Sequence, residues 1–425
     1  MRQVIENRRT NESYIKITHD SGLDIYIKPM ENYSSAYALF GTKYGSINNR
    51  FKTDDDPDFV DVPDGIAHYL EHKLFENEDC DAFARYAKTG ASANAYTSFD
   101  RTAYLFSAAE NIYDSLEILL DFVQDPYFTV ETVAKEQGII GQEIRMYDDD
   151  PNWRVIFNML KCLYHNHPVK IDIAGTVESI AKITPELLYK CYGAFYNLNN
   201  MVLSIAGNVD EEKVIAVCDK YLKKNVDKKL TTSFAPEPTA IVSADIEMTS
   251  EVSIPMFNLG YKAEPEYGYA KLKAEAETNI ILELLCGSSS DLYEKMYNSE
   301  LINSQFSTEV FDGPGYFCSI IGGESRNPNA VRDMINAEIA RALTEGFDMT
   351  AFEASKKAYY GSLIWDLNRA ESYASNMLVS AFDGLTAFDL IDLVAGITID
   401  DIKKRLERQF DPEKCALSVV NPISS

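Results

Sequence analysis

The chain has 425 residues, 46% of them hydrophobic and 25% charged, which is a globular composition spread over more length than one ordinary domain needs. A formal net charge of −26 argues against nucleic acid and anionic membrane surfaces as partners, since both call for a basic footprint. The chain opens on "MRQVIENRRT" without an apolar signal region, no apolar run reaches the ~18 residues that span a bilayer, and seven scattered cysteines without a CxxC read as reduced thiols. A cytoplasmic protein without nucleic-acid or membrane partners is therefore expected.

In chain order, "GLDIYIKPM" and "SAYALFGTKYG" alternate in the manner of strands. "VPDGIAHYLEHKLFEN" predicts a helix starting near Asp64, an N-cap type following Pro63, with Ile66, Leu70 and Leu74 forming its core face. At 100° per residue His68, Glu71 and His72 lie away from that stripe. Two imidazoles one turn apart can converge on one ion, and Glu71 lies beside both, as a zinc site with an adjacent general base requires. The order H-x-x-E-H reverses the commoner H-E-x-x-H.

"RTAYLFSAAEN" from Arg101 reads as a strand running into a turn and a helix. The long helix "VETVAKEQGIIGQEIRMY" then offers Glu136 and Glu143, two turns apart on one face with Ile140 between them. Either carboxylate is a candidate third ligand, and a solvated helix face is the plain alternative. "YHNHP" places His165 and His167 two apart on a loop, poor metal geometry that reads as structural. The acidic stretches "TDDDPDFVD" and "YDDDP" read as solvated loops.

Three segments recur in the same order. "FTVETVAKEQGIIGQEI" is answered by "FDMTAFEASKKAYYGSLI", and "RTAYLFSAAEN" by "GYFCSIIGGES". "ITPELLYKCYGAFYNLNNMVLSIAGNV" is answered by "ITIDDIKKRLERQFDPEKCALSVVNP". Grouped strands followed by paired helices predict an α+β chain of two homologous halves, each an antiparallel sheet with helices on one face. The halves are expected at residues 1–221 and 241–425, joined by a linker at 222–240 that is rich in Lys, Thr and Pro. The second half has no histidine, so a metal constellation is expected in the first half alone.

HYLEH, followed by E-x6-E in "EQGIIGQE" on a duplicated chain of this length, resembles the M16 (pitrilysin, insulinase) family of zinc peptidases. "GASANAYTSFDRTAYLF", "VQDPYF", "KEQGIIGQEIRMYDDDPNWR" and "HPVKIDIAGTVESI" resemble its bacterial YmfH-like branch, so the likeness covers essentially the whole chain. The resemblance implies a duplicated M16/LuxS-type metallopeptidase fold with one Zn2+ per chain. It implies His68, His72 and Glu143 as metal ligands, Glu71 as general base acting on a zinc-activated water, and Glu136 as a catalytic-site glutamate supporting the ligand helix. It also makes "SANAYTS" an active-site edge strand whose Asn94 and Ala95 bind an extended peptide by strand addition.

The implied activity is that of a zinc-dependent endopeptidase acting on extended peptides in a closed chamber. Many family members carry R-x-x-G-L-x-Y in the second half, and the corresponding stretch from Ser288 lacks it, although Lys295, Tyr297 and Tyr316 are nearby. This departure implies a homodimer, or a heterodimer with a second M16-like chain that supplies the Arg and Tyr. The alternative it leaves is a non-catalytic M16-like assembly subunit of a peptidase heterodimer.

Overall fold

A computed structural model describes residues 1–78, 80–224 and 228–423. Of the predicted linker 222–240, residues 225–227 lie outside the described residues, as does the last of the second half, 424–425. The strands are β1 (Arg2–Asn7), β2 (Glu12–Thr18), β3 (Asp24–Pro29), β4 (Ala36–Thr42), β5 (Arg50–Lys52), β6 (Val60–Asp61), β7 (Ser92–Thr97) and β8 (Thr102–Ala108). They continue as β9 (Met201–Gly207), β10 (Thr231–Thr232), β11 (Asp245–Ser250), β12 (Met256–Ala263), β13 (Ser307–Gly313), β14 (Tyr316–Glu324) and β15 (Cys415–Pro422).

The chain forms two compact units, and neither is continuous in sequence. The first comprises Met1–Ile144, Asp172–Ser233 and Ile364–Phe388; the second comprises Arg145–Ile171, Phe234–Leu363 and Asp389–Ser425. Among the described residues the first holds a seven-stranded sheet in the order β1-β2-β3-β9-β4-β8-β7 and a small sheet β10-β5-β6. The second holds a five-stranded sheet, β11-β15-β12-β14-β13. The orders β3-β9-β4-β8-β7 and β11-β15-β12-β14-β13 repeat one topology, the duplication that the paired motifs predict. The seven- and five-stranded sheets are each antiparallel except for one pair, β3 with β9 and β11 with β15. These parallel pairs join strands distant in sequence, so no hairpin signal announces them.

The period of two along each strand sorts its side chains to two faces. In the first unit Ala38, Phe40, Leu203 and Ile205 enter the main core. Beneath them lie helices of the same sequence half, including the helix Ile112–Val123, whose apolar positions Leu116, Leu119, Leu120 and Val123 are buried. The opposite face carries Gly41 and Ser204, and here packs the helix Ala370–Phe382 from far along the chain. A Cβ on Gly41 would lie 2.8 Å from Leu378, and Ser204 Oγ donates to the carbonyl of Ala374 at 2.7 Å.

The second unit mirrors this exchange. Its core takes Phe257, Leu259, Tyr261, Leu417 and Val419. Its other face is covered by the helix Pro151–Leu163, with Met159 2.6 Å from the position of a Cβ on Gly260. Each glycine thus makes room for a helix contributed by the opposite half of the sequence. Burying one Leu or Met side chain in such a contact is worth roughly 1.5–3 kcal/mol.

The described part of the linker is held in place. β10 pairs with β5 in the first unit. In the second, Glu237 accepts hydrogen bonds from the backbone N–H groups of His165, Asn166 and His167 and from Lys262 Nζ. Lys262 also donates to the carbonyls of Leu163, Pro238 and Ala240, so a buried lysine is fully partnered. His167 Nε2 lies 2.9 Å from the carbonyl of Pro314, and its Nδ1 accepts from Val169 N–H. His167 is therefore built into a structural network, as the loop spacing of "YHNHP" predicts.

Candidate metal centre

The H-x-x-E-H segment lies on α1 (Ile66–Leu74), with Ile66, Leu70 and Leu74 in the core. The helix does not start on an Asp64 cap. Gly65 is the N-cap residue, at φ +87° and without a side-chain cap. Asp64 instead accepts from Asn49 Nδ2 through its carboxylate and from Ser179 Oγ through its carbonyl. A Cβ on Gly65 would lie 2.3 Å from the carbonyl oxygen of Ala174, so both the left-handed φ and the close approach require glycine. That requirement comes from a residue more than a hundred positions away, beyond any local capping rule.

α2 (Ala82–Thr89) follows, capped by Asp81, and leads into β7 at the edge of the seven-stranded sheet. After the helix Ile112–Val123, our α3, comes α4 (Val130–Asp149), which carries Glu136 and Glu143. Two anchors fix α4 against α1: the Tyr69 hydroxyl donates to the carbonyl of Val133, and Ile140 is fully buried between the two glutamates.

This packing brings together the residues that the sequence singles out. Ligand-type atoms of His68, His72 and Glu143 all lie within 4.8 Å of one another. His72 Nε2 is 3.4 Å from Glu143 Oε2, and His68 Nε2 is 3.7 Å from Glu143 Oε1. These separations are long for charge-assisted hydrogen bonds. They are near the ~3.4 Å that separates ligand atoms around a tetrahedral zinc with bonds of about 2.0–2.1 Å. His72 Nδ1 lies 3.0 Å from Glu136 Oε1, the contact that fixes the tautomer of a liganding imidazole.

The electrostatics agree with the donor set. Burial pushes the His68 pKa down to about 3, with His72 adding to the effect, so its imidazole is neutral and its lone pair free. Among the described residues His68 Nδ1 is a buried nitrogen without a hydrogen-bond partner. For His72, burial opposes protonation, but the Glu136 hydrogen bond and the carboxylates of Glu71 and Glu143 outweigh it and raise the pKa. Glu71 is raised by burial. Three carboxylates around two imidazoles make a cluster that favours a cation, and two nitrogens with one oxygen form a zinc-type donor set.

A cleft of about 590 Å3 opens beside this group, lined by Glu71, His72, Phe75, Asn94, Ala95 and Glu136 among others. Asn94 and Ala95 thus reach the cleft from the edge strand β7, and the Ala95 N–H is taken by Asn94 Oδ1 at 2.9 Å. Glu71 Oε2 accepts from Thr97 Oγ1 at 2.8 Å, a partner that lies within "SANAYTS" but is not singled out by any spacing rule. The second unit has its own cleft of about 450 Å3, over β12, β13 and β14, and neither histidine nor cysteine lines it. Among the described residues no helix is long and apolar enough to cross a membrane.

A duplicated α+β scaffold holding an inverted HxxEH pair against a distal glutamate defines the metallopeptidase class of site. Comparison with known proteins gives the family. Residues 60–177 match the model for Insulinase (Peptidase family M16), and residues 182–359 match that for the Peptidase M16 inactive domain. The chain is 40% identical, over the full length of both, to a Bacillus subtilis protein described as "Uncharacterized zinc protease YmfH". The crystal structure of a putative M16-like peptidase from Alicyclobacillus acidocaldarius superposes with a TM-score of 0.94 at 33% identity, covering 96% of this chain and 98% of that one. A Helicobacter pylori protease shares the fold, with a TM-score of 0.82 at 21% identity over 96% and 99% of the two chains. The chain belongs to peptidase family M16.

Proposed function

We propose that this protein is a zinc-dependent endopeptidase that hydrolyses extended peptides, with one zinc per chain held by His68, His72 and Glu143. The observation that carries this reading is the convergence of those three side chains on one another, with His72 and the neighbouring Glu71 lining the cleft beside β7. Zinc held there supplies Lewis-acid polarisation of the scissile carbonyl and acidifies a water. Glu71 takes the proton of the attacking water and delivers it to the leaving amine nitrogen. Glu136 holds the His72 ring in orientation through Nδ1. The peptide adds to the free edge of β7 as a further strand, exchanging the internal Asn94–Ala95 contact for main-chain hydrogen bonds.

A second M16-like chain, in a homodimer or heterodimer, supplies the arginine and tyrosine missing from the stretch after Ser288. A reducing, cytoplasmic setting suits the seven unpaired cysteines, six of them buried. The same missing pair supports a second reading, a non-catalytic assembly subunit of a peptidase heterodimer. Metal content and cleavage of a mixed peptide library separate the two. The peptidase reading expects stoichiometric zinc in both the wild type and Glu71→Gln, with cleavage about 10²–10⁴-fold lower in the variant. Purification without zinc sinks it in favour of the scaffold; zinc without cleavage by the isolated chain places the missing groups on a partner.

A further inference from the structure

We propose that Thr97 is a positioning residue for Glu71, fixing one carboxylate oxygen of the base to the strand on which the peptide docks. The inference rests on the reading of Glu71 as general base and adds to it the group that aims it.

Glu71 is only 8% exposed, and among the described residues the one hydrogen bond of its carboxylate is with Thr97, Oγ1 to Oε2 at 2.8 Å. A glutamate on a helix has three rotatable bonds, so a single anchor decides where its free oxygen points. Thr97 is well suited to be that anchor. It ends β7 and stands directly opposite Thr102, the first residue of β8. Thr102 is fully buried and donates its hydroxyl proton to the carbonyl of Tyr44 at 2.8 Å, with Thr97 Oγ1 3.4 Å away.

Proton counting fixes the direction. Each hydroxyl has one proton, the one on Thr102 is committed to the Tyr44 carbonyl, and an ionised carboxylate only accepts. The Thr97 proton therefore points to Glu71. A β-branched side chain with a stiff χ1 carries the donor, so the contact is preorganised by the strand. Oε2 is tied and Oε1 is left for the water. Because Asn94 and Ala95 lie on the same six-residue strand, the base and the docked peptide share one rigid frame.

The test compares zinc-loaded wild type, Thr97→Val and Thr97→Ser on a fluorogenic peptide, with Glu71→Gln as control. Valine keeps the shape and removes the donor; serine keeps the donor and removes the methyl. We expect kcat of Thr97→Val to fall about ten- to hundred-fold, the range for one hydrogen bond to a charged group, with KM within about two-fold. Thr97→Ser is expected within about three-fold of wild type. Crystal structures of the metal-free proteins give a readout independent of activity: one Glu71 rotamer in wild type and Thr97→Ser, a displaced or split one in Thr97→Val. Wild-type kcat in Thr97→Val, equal losses in both variants, or an unmoved Glu71 in Thr97→Val would each overturn the proposal. If Glu71→Gln cleaves as fast as wild type, the reading of Glu71 as base fails by itself; there, and where the isolated chain does not cleave, the Glu71 rotamer decides whether Thr97 holds it.

Discussion

Glu136 and Glu143 occupy the same face of one helix but make different contacts, and the different roles proposed for them can be separated by metal affinity. Glu136 Oε1 lies 3.0 Å from His72 Nδ1, and its side chain is only 12% exposed, so solvent screens the contact weakly. Removing a carboxylate that orients a liganding histidine typically costs 10–100-fold in metal affinity. That is about 1.4–2.7 kcal/mol, the expected loss for Glu136→Ala. Glu136→Gln keeps an acceptor for Nδ1–H but loses the charge, so a loss of up to about ten-fold is expected. Glu143 faces the Nε2 atoms of both histidines, and Glu143→Ala would remove a proposed ligand, for an expected loss well beyond a hundred-fold. The assay is competition for zinc against a chromophoric chelator at fixed pH and ionic strength. An affinity for Glu136→Ala within two-fold of wild type would refute the orienting role. A loss equal to that of Glu143→Ala would make Glu136 a ligand in its own right.

Two further outcomes concern stability. Gly65→Ala places a Cβ at φ +87° and 2.3 Å from the carbonyl oxygen of Ala174, a backbone atom that cannot swing away. The left-handed conformation alone costs roughly 1–2 kcal/mol, so a total loss above about 2 kcal/mol is expected in urea unfolding, and a shift below about 0.5 kcal/mol would refute it. The second outcome is acid sensitivity. Burial pushes the His167 pKa down to about 4, against about 6.5 in the unfolded chain, so its contribution is complete above pH 6.5 and is lost as pH falls toward 4. Glu237 follows at lower pH: burial opposes its charge, but Lys262 and the three backbone N–H groups outweigh this and lower its pKa to about 2. Between pH 7.5 and 5 the His167 linkage amounts to about 2 kcal/mol, which His167→Gln should remove from the pH slope of the urea midpoint. Identical slopes in the two proteins would show that His167 is not the group responsible.

What could be read from the sequence is what local physics encodes. HYLEH needs only the pitch of a helix, and the strands need only alternation. Thr184 and Thr398 head matching helices, each accepting from a backbone N–H of the first turn, so the repeat is visible at its caps. The rest depends on contacts between distant residues. Spacing alone cannot tell Glu136 from Glu143; they separate only when α1 packs on α4 and one reaches Nδ1 while the other reaches Nε2. Asp64 has the better capping chemistry, but Gly65 takes the position because of Ala174. Nothing local marks the helices Pro151–Leu163 and Ala370–Phe382 as belonging to the opposite sheet, and the glycines that receive them, Gly260 and Gly41, look like ordinary strand glycines. Thr97 is likewise silent in sequence, since its importance lies in a hydrogen bond to a helix 26 positions earlier.

The polar cluster around Arg405 in the second unit and the group around His68 in the first are partnered differently. In the second unit the buried guanidinium of Arg405 is matched on every side: Nε donates to Thr278 Oγ1, and its terminal nitrogens donate to Glu266 and Gln409. Gln409 passes the chain on to the carbonyl of Tyr261. A buried network of this kind rigidifies a core. The group around His68 in the first unit is partnered less completely. His68 Nδ1 has no partner, the carboxylate of Glu143 stands 3.4 and 3.7 Å from two imidazoles, and Glu71 is tied by one oxygen only. Unmet valences in a buried site cost stability unless something else meets them. A cation between the two Nε2 atoms and Glu143 would meet the carboxylate and both Nε2 lone pairs at once. The duplicated scaffold accounts for the fold of both units, while among the described residues the donor group of His68, His72 and Glu143 lies in the first alone.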